Sequence, residues 1–478
     1  MKNNKNDLLI KTLFWTLWSM VLMACVYYIV KNAHWVIGDD AIVMNHTGSG
    51  LPFPPSHMIN KSVGRFCPLA YAAYNVLLLF SDGYISPQAH YMLEAVFFVV
   101  YAVAFTFLIL QVLKNQKPIW KYSIAFFAFL LCAGRAYPQF TECFATSWCY
   151  YTLLACFFVF SFLFHEYRNW GWGIAVILFA NVLCYSSELG FIMPLGVGGS
   201  ALFFSWKTLS KKEKLFNFIL VGSALLFLTI YLAFIVPYAT HYMTHVIDSS
   251  PVGNALRMLF AQKIVIVGFA VLLVRIVFVL KAKQPYEYFD AYLLTAFAYF
   301  CACAILKLDW TLYYNPVALL CIPAILYYLV KYLKPQYALA LIAVMGLFYG
   351  MKIPKTIKHS QKHRVLVYTQ VEKLTQAISN GVPVFWLNPD EEKNEDFDAV
   401  LRYCQCGWLT SYIRWNLRND CFSINMRKVG VDTLNSGVWL MTAWDRVAFS
   451  NELGFSIDEP PFFNADSIYG YLIDSDGY

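Results

Sequence analysis

The chain has 478 residues, of which 59% are hydrophobic and 14% charged, with a formal net charge of +7. Soluble proteins carry about 25% charged residues, so a soluble globular protein is excluded. Most of the positive excess lies in short loops between apolar runs, which gives no reason to expect nucleic acid as a partner.

Apolar runs of roughly 16–25 residues recur along the first 350 residues, each able to cross a hydrocarbon core about 30 Å thick. The expected fold class is an α-helical polytopic membrane protein of about eleven transmembrane helices, with a small C-terminal α/β soluble domain. Residues 1–350 form the transmembrane part, 31–88 its first outer loop with interfacial helices, and 351–478 the C-terminal domain.

The first span, Leu8–Val30, follows Lys2 and Lys5 and holds Lys11 near its start. Basic flanks stay in the cytoplasm, so the loop His34–Leu69 falls outside. This span is too long, and lacks the small-residue site, for a cleaved signal peptide. Pro68–Phe80 is apolar but short, with no basic residue after it, and reads as a helix lying at the outer interface. Spans follow at Gln88–Leu113, Ile119–Ala136, Cys143–Phe164, Gly171–Tyr185, Phe191–Trp206 and Leu215–Val236, then at Ile264–Leu280, Ala291–Leu306, Pro316–Val330 and Tyr337–Gly350. The inner loops then carry Lys114, Lys117, Arg168, Lys207, Lys211, Lys212, Lys281, Lys331 and Lys334, while most outer loops are poor in Lys and Arg.

Alternation puts the tail outside, although it opens on Lys352, Lys355, Lys358, Lys362 and Arg364. The positive-inside rule weakens for long domains, and the tail is read as extracytoplasmic. Within it, Val365–Ser379 has helical periodicity, with Val365, Tyr368, Val371 and Leu374 on one stripe, and Val382–Leu387 reads as a strand. Asp390–Asp398 is an acidic loop. Cys421 could pair with Cys404 or Cys406 if the tail faces an oxidising compartment.

Ionisable residues in membrane helices are costly and usually functional. Under this topology Glu94, Arg135, Glu142, Glu188, Lys307 and Asp309 all fall at outer helix ends, on the side of the adjacent acids Asp39 and Asp40. Arg275 is the exception, near an inner end, where it is expected to snorkel. His241 and His245 have the i,i+4 spacing of a metal pair, but on an outer loop they read as an interfacial feature. Tyr and Trp residues near span ends, including Tyr313, read mostly as interface anchors.

Transfer from a lipid phosphate needs one base on the acceptor hydroxyl and positive charge on the departing oxygens. The outer loop carries both types: the acid pair, then His57, Lys61 and Arg65. Three stretches carry a family likeness: GDD at Gly38–Asp40, GRF and a proline at Gly64–Pro68, and SSELGFIMPL at Ser186–Leu195. In these the chain resembles the C-type (GT-C) superfamily of integral membrane glycosyltransferases, including bacterial families of the O-antigen glucosyltransferase type. It departs from the protein mannosyltransferases, which have Asp-Glu where this chain has Asp-Asp.

The resemblance implies an inverting glycosyltransferase with a polyprenyl-phosphate sugar donor and a glycan, lipid or protein acceptor. It would work in the bacterial inner membrane with its active site on the periplasmic side. It implies Asp39 or Asp40 as the base, and Arg65 first, then Lys61, Arg135 and Lys307, as phosphate-binding residues. His57, Glu142, Glu188 and Tyr313 complete the expected substrate-binding set. Some members use a divalent metal such as Mg or Mn and others none; no dedicated cage stands in this sequence, so none is assigned. The alternatives are a polysaccharide polymerase or lipid-linked glycan flippase, which needs a hydrophilic path to the midplane, and an assembly protein whose tail binds partners.

Overall fold

The computed structural model describes residues 2–36, 40–46, 52–54, 59–62, 64–81, 83–141, 147–239, 250–306, 308, 311–388, 408–418, 422–428, 436–442, 463–465 and 468–473. Expectations placed on Asp39, His57, Glu142, Lys307, Asp309, His241, His245, Cys404, Cys406, Cys421 and 390–398 lie outside these residues.

Among the described residues, nine helices are long and apolar enough to cross a membrane, and Trp170–Ser186 and Ile192–Ser205 are shorter apolar helices. Together they match the expected runs one for one, and the chain is a multi-pass membrane protein. These eleven apolar helices are α1 (Lys2–Lys31), α4 (Pro87–Val112), α5 (Pro118–Ala136), α6 (Ser147–Tyr167), the shorter α7 (Trp170–Ser186) and α8 (Ile192–Ser205), and α9 (Lys211–Phe234). They continue as α11 (Lys263–Leu280), α12 (Tyr288–Ile305), α13 (Thr311–Tyr332) and α14 (Pro335–Gly350). Short helices α2 (Asp40–His46), α3 (Ala72–Leu78) and α10 (Pro251–Ala261) lie between them.

Their starts follow from local chemistry. Ser86 caps α4 ahead of Pro87, accepting from the Ala89 amide at 3.1 Å. Ser210 and Glu213 form a reciprocal box at the start of α9. Each satisfies amides that the first helical turn leaves without partners. Helix α3, at seven residues, is about 10 Å long and far short of a crossing. Leu79 and Phe80 after it are 79% and 85% exposed, as expected for an interfacial segment.

The ends expected to be cytoplasmic are tied by ion pairs. Lys114 pairs with Glu166, and Arg168 with Glu213 at 2.6 Å. Arg275 does not snorkel. It is 2% exposed and binds Asp290 with two nitrogens, at 2.9 and 2.8 Å, while its Nη1 donates to Gln284 and Tyr332. The physical reason is a partner: α12 starts with a Glu287–Asp290 capping box that holds a carboxylate beside α11. A paired, fully hydrogen-bonded charge can stay buried where a lone one must reach for water.

The tail begins as α15 (Lys352–Ser379), separated from α14 only by Met351. Its buried stripe is Ile353, Thr356, Ser360, Val367, Val371, Leu374 and Ala377, whereas Val365 is 61% exposed. The expected stripe therefore holds for Val371 and Leu374 and fails for Val365. The docking of one long helix, rather than the periodicity of its second half, sets the buried face. Helix α15 lies against the far end of α1: the Asn32 side chain reaches the Ile357 carbonyl at 3.5 Å, and His34 meets His363 at 2.8 Å. Strands β3 (Val384–Asn388), β4 (Asn425–Lys428), β5 (Gly437–Thr442), β6 (Phe463–Ala465) and β7 (Ile468–Ile473) form a mixed sheet in the order β4-β3-β5-β7-β6. Residues 408–417 form a further helix, α16, burying Trp408, Leu409, Tyr412 and Ile413.

Candidate active site

The two motifs of the outer loop and of the α7–α8 turn meet. In the first, β1 (Ile59–Asn60) and β2 (Arg65–Phe66) pair antiparallel, with Asn60 opposite Arg65. Gly64 closes the turn at φ 68°, a conformation that side chains resist. The Tyr231 hydroxyl of α9 donates to the Gly64 carbonyl at 2.8 Å, and Phe66 packs on Tyr185 and Phe227. The Leu69 amide donates to the Tyr185 carbonyl at 3.0 Å. The hairpin is thus clamped onto the ends of α7 and α9.

In the second motif, Ser187 leaves the helical conformation and the Gly190 amide returns to its carbonyl at 2.8 Å. A Cβ on Gly190 would stand 1.9 Å from the Leu183 carbonyl oxygen, so only glycine fits this turn. The turn presents Glu188 to Arg65, with Oε1 3.8 Å from Nε. That distance makes an ion pair rather than a hydrogen bond. Cys67 joins them. Its burial, and then the Glu188 carboxylate beside it, hold its thiol well above the usual value.

The other described candidates have partners of their own. Lys61, on the hairpin turn, is exposed, its ammonium 4.9 Å from the centre of the Tyr238 ring. Asp40 opens α2, and the next residues are pinned: His46 stacks on Phe53 at 3.9 Å, and Phe53 stacks on Tyr71 at 5.2 Å. Helix α3, which Tyr71 precedes, follows directly from the strand that carries Arg65. Arg135 is 6% exposed between α5, α13 and α14. It donates to the Asn315 side chain at 2.6 Å and lies over the Tyr349 ring. Tyr313 is half-buried, and its carbonyl accepts from the Cys303 thiol at 3.7 Å. Glu94 is fully buried with His90 at 2.8 Å.

Sequence reasoning missed His90, Cys67 and His363 as partners. A signal existed for two: His90 precedes Glu94 by one helical turn in an apolar span, and Cys67 lies inside the GRF–proline motif. Nothing local marks His363. Among the described residues, no group of three or more His, Cys, Asp or Glu is placed to hold a metal ion.

No protein-family model matches this chain, and no curated protein sequence matches it. Solved structures do. ArnT from Cupriavidus metallidurans in the apo state is 11% identical, with a TM-score of 0.54, covering 96% of this chain and 98% of that one. ArnT from the same organism bound to undecaprenyl phosphate is 12% identical, also with a TM-score of 0.54 and the same coverage. At this identity the likeness is one of fold. It runs over nearly the whole chain and shows that the chain has an ArnT-like fold.

Proposed function

We propose that this chain is a membrane glycosyltransferase that moves a sugar from a polyprenyl-phosphate donor to a glycan, lipid or protein acceptor. The observation that carries the reading is the meeting of Arg65 and Glu188, because it joins the two polar motifs at the end of the bundle where Asp40 opens α2. The undecaprenyl phosphate bound by the ArnT neighbour supports a lipid phosphate as the leaving group.

The reaction is a single displacement. Asp39 or Asp40 accepts the proton of an acceptor hydroxyl as that oxygen attacks the anomeric carbon. The bond from the anomeric carbon to the phosphate oxygen breaks, and the lipid phosphate departs with the electron pair. One displacement inverts the anomeric centre. Arg65, held in register by Glu188, and Lys61 on the adjoining turn neutralise the departing oxygens. The site faces the periplasm of a bacterial inner membrane, and residues 351–478 lie on that side as an extracytoplasmic domain.

Purified protein supplied with a radiolabelled polyprenyl-phosphate sugar tests this. Asp39→Asn or Asp40→Asn should abolish transfer while the melting temperature holds. Full activity in both variants would remove the acid pair from the mechanism. Arg65→Gln should raise the KM for the donor.

A further inference from the structure

A cavity opens where the tail meets the membrane helices. It has a volume of about 490 Å³ and lies between the start of α4, the middle of α15 and α16. We infer that this groove is a saccharide site and that it holds the glycan of the acceptor; the acceptor role rests on the proposed transferase reading, the saccharide site does not.

The groove has two kinds of wall. The rings of Tyr368 and Trp415 are half-buried, and Gln88, Glu372 and Asn416 are exposed beside them, with Thr375 between. The rings are fixed in place. The Trp415 indole N–H donates to the Ile85 carbonyl at 3.1 Å, and its ring stands at 88° to Trp35 and 76° to Tyr412. The Tyr368 hydroxyl donates to the Ala33 carbonyl at 3.5 Å. Asn416 is oriented by a 3.1 Å hydrogen bond to Thr375. Rigid aromatic surface offers the C–H face of a sugar ring a partner without ordering cost. Amides, a hydroxyl and a carboxylate offer acceptors and donors for its hydroxyls. Among the described residues the groove is lined by no Lys or Arg and by the carboxylate of Glu372, which suits a neutral polyhydroxylated ligand better than the phosphate of the donor. The volume lies within the range of ligand pockets and has room for a short oligosaccharide.

Its position gives the groove a purpose. Both rings touch the segment that runs on into the acid pair. Asp40 follows Trp35 by five residues, so it lies at most about 18 Å away along the chain. That span is one a short oligosaccharide can bridge, which is what the acceptor role requires.

The test uses the full chain in a micelle without a sugar headgroup, since maltoside detergents would compete. A panel of methyl hexosides and neutral linear trisaccharides is screened by saturation-transfer NMR. At least one trisaccharide should bind, and Glu372→Ala and Asn416→Ala should each weaken it by roughly fivefold, the loss of one or two hydrogen bonds. Both residues are exposed, so the melting temperature should hold. The inference is overturned if no saccharide of the panel binds, if both variants bind as the wild type does, or if an extended neutral peptide competes equally well. Asp40→Asn should keep saccharide binding and lose transfer. Transfer that proceeds with an unchanged acceptor KM in the groove variants refutes the groove's role alone. Saccharide binding without transfer from any polyprenyl-phosphate sugar supports the groove and refutes the enzyme reading.

Discussion

If the Arg65–Glu188 contact organises the site, it must have a measurable energy, and a double-mutant cycle isolates it. At 3.8 Å, two unit charges attract by about 4 kcal/mol at an effective dielectric constant near 20. The two side chains are 26% and 19% exposed, so water screens much of that. Measured couplings of exposed pairs run at about 0.2–1 kcal/mol. This pair is more enclosed and shares its carboxylate with Cys67, which places the expected coupling near the top of that range, at about 1 kcal/mol. The variants are Arg65→Gln, Glu188→Gln and the double change, each purified and unfolded at equilibrium in mixed micelles. The double variant should be more stable than the sum of the single losses predicts, by about 1 kcal/mol, and the coupling should shrink as salt is added. Additivity within about 0.3 kcal/mol would refute the pairing as an organising contact.

Three other outcomes follow from the same structure. Gly190→Ala puts a methyl 1.9 Å from a backbone oxygen that cannot rotate away, and should cost about 3 kcal/mol in the same unfolding assay. Arg275→Met strands the buried Asp290 carboxylate and should cost about 3–5 kcal/mol; adding Asp290→Leu should recover most of it. Cys67 should resist maleimide in the folded protein at pH 8 and react once the protein is unfolded. Its thiol is held neutral by the fold, so its contribution to stability is complete below the ordinary thiol value of 9.0 and declines as pH rises beyond it.

Much of the architecture was already written in local composition. Hydropathy runs located all eleven apolar helices found among the described residues, and the spacing of basic residues put Lys114 and Arg168 at loop ends, where ion pairs hold them. The brevity of Pro68–Phe80 gave a helix that does not cross. The GRF–proline and SSELG stretches stood out as polar motifs in apolar surroundings. Those features depend only on neighbours in sequence, through helix length and the cost of placing charge in lipid.

Tertiary structure alone decided which groups meet. Lipid tails are as apolar as leucine, so a spanning helix shows no compositional difference between its packed and lipid-facing sides. Helix α4 is the example: Phe98, Tyr101 and Phe105 are buried while Val96, Val100 and Val103 are exposed, and all six are apolar. With the helix rotation hidden, sequence could not tell that Arg275 faces Asp290, that Val365 turns outward, or that His34 finds His363. It nominated Arg65 and Glu188 separately; only the docking of a two-strand hairpin onto the ends of α7 and α9 made them a pair.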